Sequence, residues 1–95
     1  MNELNTVSSA GILQLVSGRK FHGKLVCNET GAAFYKKGQE TPFVEFQYAK
    51  INRLDNIRRG GTTSDVTVVL KDAANDGIKY TFELSQGLKV YNFID

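Results

Sequence analysis

The segment IKYTFEL, residues 78–84, alternates apolar and polar side chains without a break. A period of two marks a strand with one face on a core and one in water. Ile78, Tyr80, Phe82 and Leu84 are therefore read as core-facing, and Lys79, Thr81 and Glu83 as solvent-facing. Similar short runs recur along the chain, divided by turn signals. ILQLV (12–16) precedes SGR, KFHGKLVCN (20–28) precedes ETG, and AAFYKK (32–37) leads into the loop KKGQETP. FVEFQY (43–48) alternates again, with Val44, Phe46 and Tyr48 on one face and Pro42 at the edge, where no ladder donor is needed. VTVVLKD (66–72) is rich in β-branched residues and reads as a central strand. The connection AANDG (73–77) ends in Asp76-Gly77, suited to the positive backbone angles of a primed hairpin turn.

Three segments are less regular. INRLDNIRR (51–59) repeats Ile51, Leu54 and Ile57 every third residue, which fits either a helical turn entering a strand or a strand with a bulge. GGTTSD (60–65) reads as a flexible turn. After the last strand, Ser85 can cap a short helix in QGLKVYNFID, with Leu88, Tyr91 and Ile94 on one side. Gly87 weakens that helix in isolation, so it depends on docking against a sheet. Residues 1–10 are polar and unperiodic and read as a flexible N-terminus that frays or begins a loosely attached strand, leaving 11–95 as one domain. The expectation is a mainly β fold: a seven-stranded antiparallel barrel or sandwich closed by one C-terminal helix.

Composition narrows the function. No apolar run approaches the ~18 residues of a membrane span, and the N-terminus lacks a signal-peptide core. A single cysteine, Cys27, allows no internal disulfide, which predicts an intracellular, reducing setting. The chain stops soon after its helix begins, as a domain of a longer protein would. The net charge of +2 is unevenly spread: Arg19 to Arg59 holds nine basic and four acidic residues, whereas the rest holds three basic and six acidic. Such asymmetry suits an anionic partner or, since the charges are interspersed rather than blocked, an ordinary solvated face on alternating strands.

Catalysis finds little support in these residues. His22 and Cys27 stand five apart on one strand, hence on opposite faces, and cannot form a nucleophile–base pair. One His and one Cys cannot complete a zinc set. No phosphate-binding loop, dinucleotide fingerprint or nucleophile elbow is present. The chain is read as non-catalytic, with no metal or cofactor.

Three resemblances bear on the ligand. LQLVSGRKFHGKLV is similar to the first motif of Sm-like RNA-binding proteins and IRRG to their second, although TGAAF replaces their polar Asp and Asn and some 35 residues follow IRRG. Paired arginines beside glycines, and the aromatics Phe34, Tyr35 and Tyr48, leave nucleic-acid binding open. GKLVCNETGAAFYKK, followed by FVEFQYAKINRLDNI, two more strands and a helix, resembles the pleckstrin-homology-like superfold. Its phosphoinositide-binding members carry converging cations at the hairpin between the first two strands. Here the tip holds Glu29, and only Lys24, Lys36 and Lys37 lie at the outer ends, which implies weak or no lipid binding.

Within that superfold, the same hairpin with INRLDNIRRG and IKYTFELSQGLKVYNFI is similar to the N-terminal domain of the HMG-box-type subunit of the FACT histone chaperone family. That likeness implies a protein-interaction module pairing with another, histone-linked subunit in a nuclear chromatin complex. It makes a sheet edge and the basic residues Lys24, Lys36, Lys37, Arg53, Arg58 and Arg59 the candidate partner- or anion-binding surface.

Overall fold

The computed structural model of the chain describes residues 6–61, 63–71 and 78–94. Seven strands form one antiparallel sheet: β1 Val7–Leu15, β2 Lys20–Cys27, β3 Gly31–Lys36, β4 Val44–Gln47, β5 Ile51–Gly60, β6 Thr63–Leu70 and β7 Ile78–Leu84. One helix, α1 Gly87–Ile94, follows. The order across the sheet is β4-β3-β2-β1-β7-β6-β5, so β1 joins the first four strands to the last three, and β4 and β5 are the edges. The expected mainly β architecture of seven antiparallel strands and one C-terminal helix is the one observed.

Register explains which side chains meet inside. Leu13 pairs with Phe82 across β1 and β7, Leu25 with Phe34 across β2 and β3, and Val66 with Phe82 across β6 and β7. All of these are fully buried, with Leu84, Val68 and Cys27. The Phe82 ring lies 5.9 Å from that of Phe34 and 6.3 Å from that of Phe46. Burying one such side chain stabilises the fold by about 1.5–3 kcal/mol. The alternation read in IKYTFEL therefore holds at Tyr80, Phe82 and Leu84, and Val44 and Phe46 pack on the core as expected. Ile78 departs from it: at the start of β7 it is exposed, although its partner on β6, Leu70, is buried in the core.

Two glycines let the sheet curl. Gly11 and Gly23 stand directly opposite one another on β1 and β2. A Cβ on Gly11 would sit 2.2 Å from the carbonyl oxygen of Glu83, and one on Gly23 would sit 2.0 Å from that of Tyr35. Neighbouring backbone thus occupies the space of a side chain, and only glycine fits.

Several local expectations change in three dimensions. Val7–Ala10, read as part of a flexible N-terminus, form the first half of β1, with Val7 paired to Cys27. The ambiguous INRLDNIRR is strand, with register shifts at Ile51/Arg53 and Arg58/Gly60, and a single 3-10 turn (Tyr48–Lys50) precedes it. Among the described residues of the turn GGTTSD, Gly60 and Gly61 take positive φ, while Thr63, Ser64 and Asp65 already belong to β6. The predicted Asp76-Gly77 turn lies outside the described residues.

The helix packs on β6, β1, β5 and β7. Its most buried side chain is Val90, not one of the expected Leu88, Tyr91 and Ile94, which are only partly buried. The first intrahelical carbonyl is that of Gln86, which accepts from the Val90 N–H at 3.1 Å. β1 secures the entry: Ser9 Oγ accepts the Gln86 N–H at 2.9 Å, and Ala10 O accepts the Ser85 N–H at 3.0 Å. A serine distant in sequence thus supplies a contact that a local reading of Ser85 does not contain.

Candidate functional site

The inward set of β1–β3 (Leu13, Leu25, Phe34) leaves the alternate residues Ala10, Ile12, His22, Lys24 and Tyr35 on the outer face. Register brings them together, since Ile12 pairs with His22, Ala10 with Lys24, and Lys24 with Tyr35. Between them lies an open groove of about 560 Å³, floored by Ala10, Gly11, Ile12 and Gly23 and bordered by His22, Lys24, Tyr35 and Lys37. Its floor is largely apolar. Lys24 and Lys37, both exposed, bring two cationic side chains to its lining.

The six basic residues singled out in the sequence do not form one surface. Lys24 and Lys37 border the groove. Lys36 lines it too, but its ammonium lies 4.6 Å from the ring centroid of Phe43 and 5.4 Å from that of Phe21. The Arg19 guanidinium lies 5.2 Å from the same Phe21 ring. These cations cover aromatic faces at the start of β2, a contact of about 0.5–1 kcal/mol at exposed sites. Arg53, Arg58 and Arg59 are on β5, with three strands between it and β2 in the sheet. Arg53 Nε is 2.8 Å from Asp55 Oδ2, both well exposed. Arg59 donates to Asp65 Oδ2 from Nε at 3.1 Å and also from Nη2. Arg58 is exposed and forms no ion pair among the described residues.

Sheet pairing separates His22 from Cys27 as their odd spacing predicts: His22 is exposed on the outer face and Cys27 is fully buried. Burial pushes the Cys27 thiol up to about 11, although its hydrogen bond with Tyr48 works the other way. A thiol held protonated in the core is a poor nucleophile. Burial likewise raises the Tyr48 phenol, whose O–H donates to Asn28 O at 2.7 Å. At the β2–β3 tip, Asn28 Oδ1 accepts the N–H groups of Thr30 and Gly31, each at 2.9 Å. The tip is built to close a turn. Among the described residues no group of three His, Cys, Asp or Glu could hold a metal ion, and no helix is long and apolar enough to cross a membrane.

The groove residues Ala10, Ile12, His22 and Tyr35 were missed as a site in the sequence. The only available signal was Ile12, an apolar residue at an outward position of an alternating strand. No protein-family model matches this chain, and no curated protein matches it.

Proposed function

We propose that this chain is a non-catalytic protein-interaction module of pleckstrin-like fold, a domain through which one subunit pairs with another in a histone-chaperone or other chromatin assembly. The observation that carries the interaction reading is the outer groove: an apolar floor with two exposed lysines on its rim. Such a site suits an acidic protein segment that places an apolar side chain on Ile12 and Ala10 and carboxylates near Lys24 and Lys37. The chromatin setting rests on the resemblance of the hairpin, β5 and the β7–α1 segment to the FACT family domain. The lipid alternative is less well supported, because Lys36 is engaged with Phe21 and Phe43 and the hairpin tip carries Glu29. For the Sm-like alternative, IRRG ends β5, and two strands and a helix still follow it.

The test is an NMR titration of the labelled domain with three probes at low and moderate salt. These are a peptide of Asp and Glu around a central Leu-Phe pair, vesicles containing a phosphoinositide, and a single-stranded RNA. The peptide should shift the amides of Gly11, Gly23 and Tyr35, and a Lys24→Glu/Lys37→Glu double variant should abolish those shifts with the fold intact. Binding of vesicles or RNA in place of the peptide would overturn the proposal, as would peptide shifts confined to β5.

A further inference from the structure

On the same outer face, β6 and β7 set Asp65 directly opposite Glu83. Like charges facing one another across a ladder oppose pairing. One guanidinium relieves them: Arg59 donates twice to Asp65 Oδ2 and lies within electrostatic reach of Glu83. Asp65 is only 7% exposed, and its other oxygen, Oδ1, has no hydrogen-bond partner among the described residues. A buried carboxylate oxygen without a donor calls for a specific explanation, because folded proteins nearly always satisfy such groups. Asp65, Glu83 and Arg59 line a recess of about 90 Å³ whose other walls include Ile12, Thr81 and Lys20. Ile12 also floors the groove described above, so the recess and the groove adjoin.

We infer that this recess receives an ammonium group, the end of a lysine side chain on the segment that fills the groove. The partner being a protein rests on the function proposed above; the recess as a cation site does not. Its volume exceeds the roughly 30 Å³ share of one water, so a compact head group fits. An ammonium has three rotatable donors, and one on Oδ1 and one on Glu83 satisfy both carboxylates. A second guanidinium suits the site less well, because Arg59 already holds Oδ2 and a bidentate fork needs both oxygens. The alkyl stem lies along Ile12 and the Thr81 methyl. Oδ1 is buried, so the ligand reaches it only when the Arg59 side chain, 56% exposed, shifts aside. Lys20 is exposed, forms no ion pair among the described residues, and competes for the same oxygen.

The test follows the carboxylate ¹³C signals of Asp65 and Glu83 and the Thr81 amide during titration of the whole chain with n-butylammonium chloride. Sodium chloride and tetramethylammonium chloride at matched ionic strength are the controls. Butylammonium should give saturable shifts at these three residues, at least fivefold larger than either control. Lys20→Gln should tighten the binding, and Glu83→Gln, an exposed change, should weaken it at least threefold. Asp65→Asn should abolish it, and where that variant does not fold, Glu83→Gln decides. Equal shifts with sodium, or undiminished binding in Glu83→Gln, would overturn the inference. Because no groove residue is probed, loss of the acidic-peptide response at Gly23 and Tyr35 would remove only the earlier proposal.

Discussion

Replacing Gly87 with alanine sets helix propensity against tertiary packing in a single change. Taken alone, α1 should gain, since alanine in a helix interior is favoured over glycine by about 1 kcal/mol, and by less at the first helical residue. In the folded protein Gly87 is buried against β6, where an added Cβ would lie 2.2 Å from Ser64 Oγ and 2.5 Å from Ser64 O. Neither atom gives way easily. β6 is held between β5 and β7, and Ser64 Oγ accepts from Asn56 Nδ2 at 2.8 Å. Overpacking of this kind costs about 1–3 kcal/mol. The net expectation is a loss of about 1–2 kcal/mol from a total stability on the order of 5–14 kcal/mol for a chain of this size. With a urea slope near 1 kcal/mol per molar, the unfolding midpoint should fall by about 1–2 M. Far-UV circular dichroism of wild type, Gly87→Ala and Lys89→Ala measures this. Lys89→Ala is exposed in the same helix and should stay within about 0.5 kcal/mol of wild type. A Gly87→Ala midpoint at or above that of wild type would refute the reasoning, because propensity would then outweigh the contact with Ser64.

Two further outcomes follow from buried groups. The folded pKa of Cys27, about 11, lies above its ordinary value of 9.0. Its contribution to stability is therefore complete below about pH 9 and lost as pH rises through 11. The raised Tyr48 phenol acts in the same direction at higher pH. Urea midpoints should fall across pH 9–11, less steeply in Cys27→Ala; an unchanged slope in that variant would count against the account. The two ion pairs of β5 should also differ. Arg53→Ala removes a pair exposed at both ends and should leave the melting temperature unchanged. Arg59→Ala strips the donors from a nearly buried Asp65 and should lower it. Equal melting temperatures for the two variants would argue that Asp65 is solvated.

Much of the strand pattern was legible because alternation is local. The inward placement of Leu13, Leu25, Phe82 and Leu84 follows from the two-residue period once each run is recognised as strand. The site was far less legible. The hairpin lysines and the arginine strip read as candidate contact residues; Lys24, Lys36 and Lys37 line the groove, Lys36 also lying over two rings, whereas the arginines lie on an edge strand. Asp65 carried no special signal, since it sat in a segment read as turn and its opposition to Glu83 exists only once β6 pairs with β7.

What the chain's own sequence determined was most of the strands and the faces of their alternating side chains, because those depend on neighbours one or two residues away. Tertiary structure alone decided that β1 lies between β2 and β7, that Gly11 meets Gly23, and that Ser9 holds the entry to α1. It also decided that Ile12 joins an apolar groove to a recess lined by Asp65 and Glu83. Each of these rests on a contact between residues far apart in the chain. Such contacts are set by register and by the room a missing side chain leaves, which no short window of sequence contains.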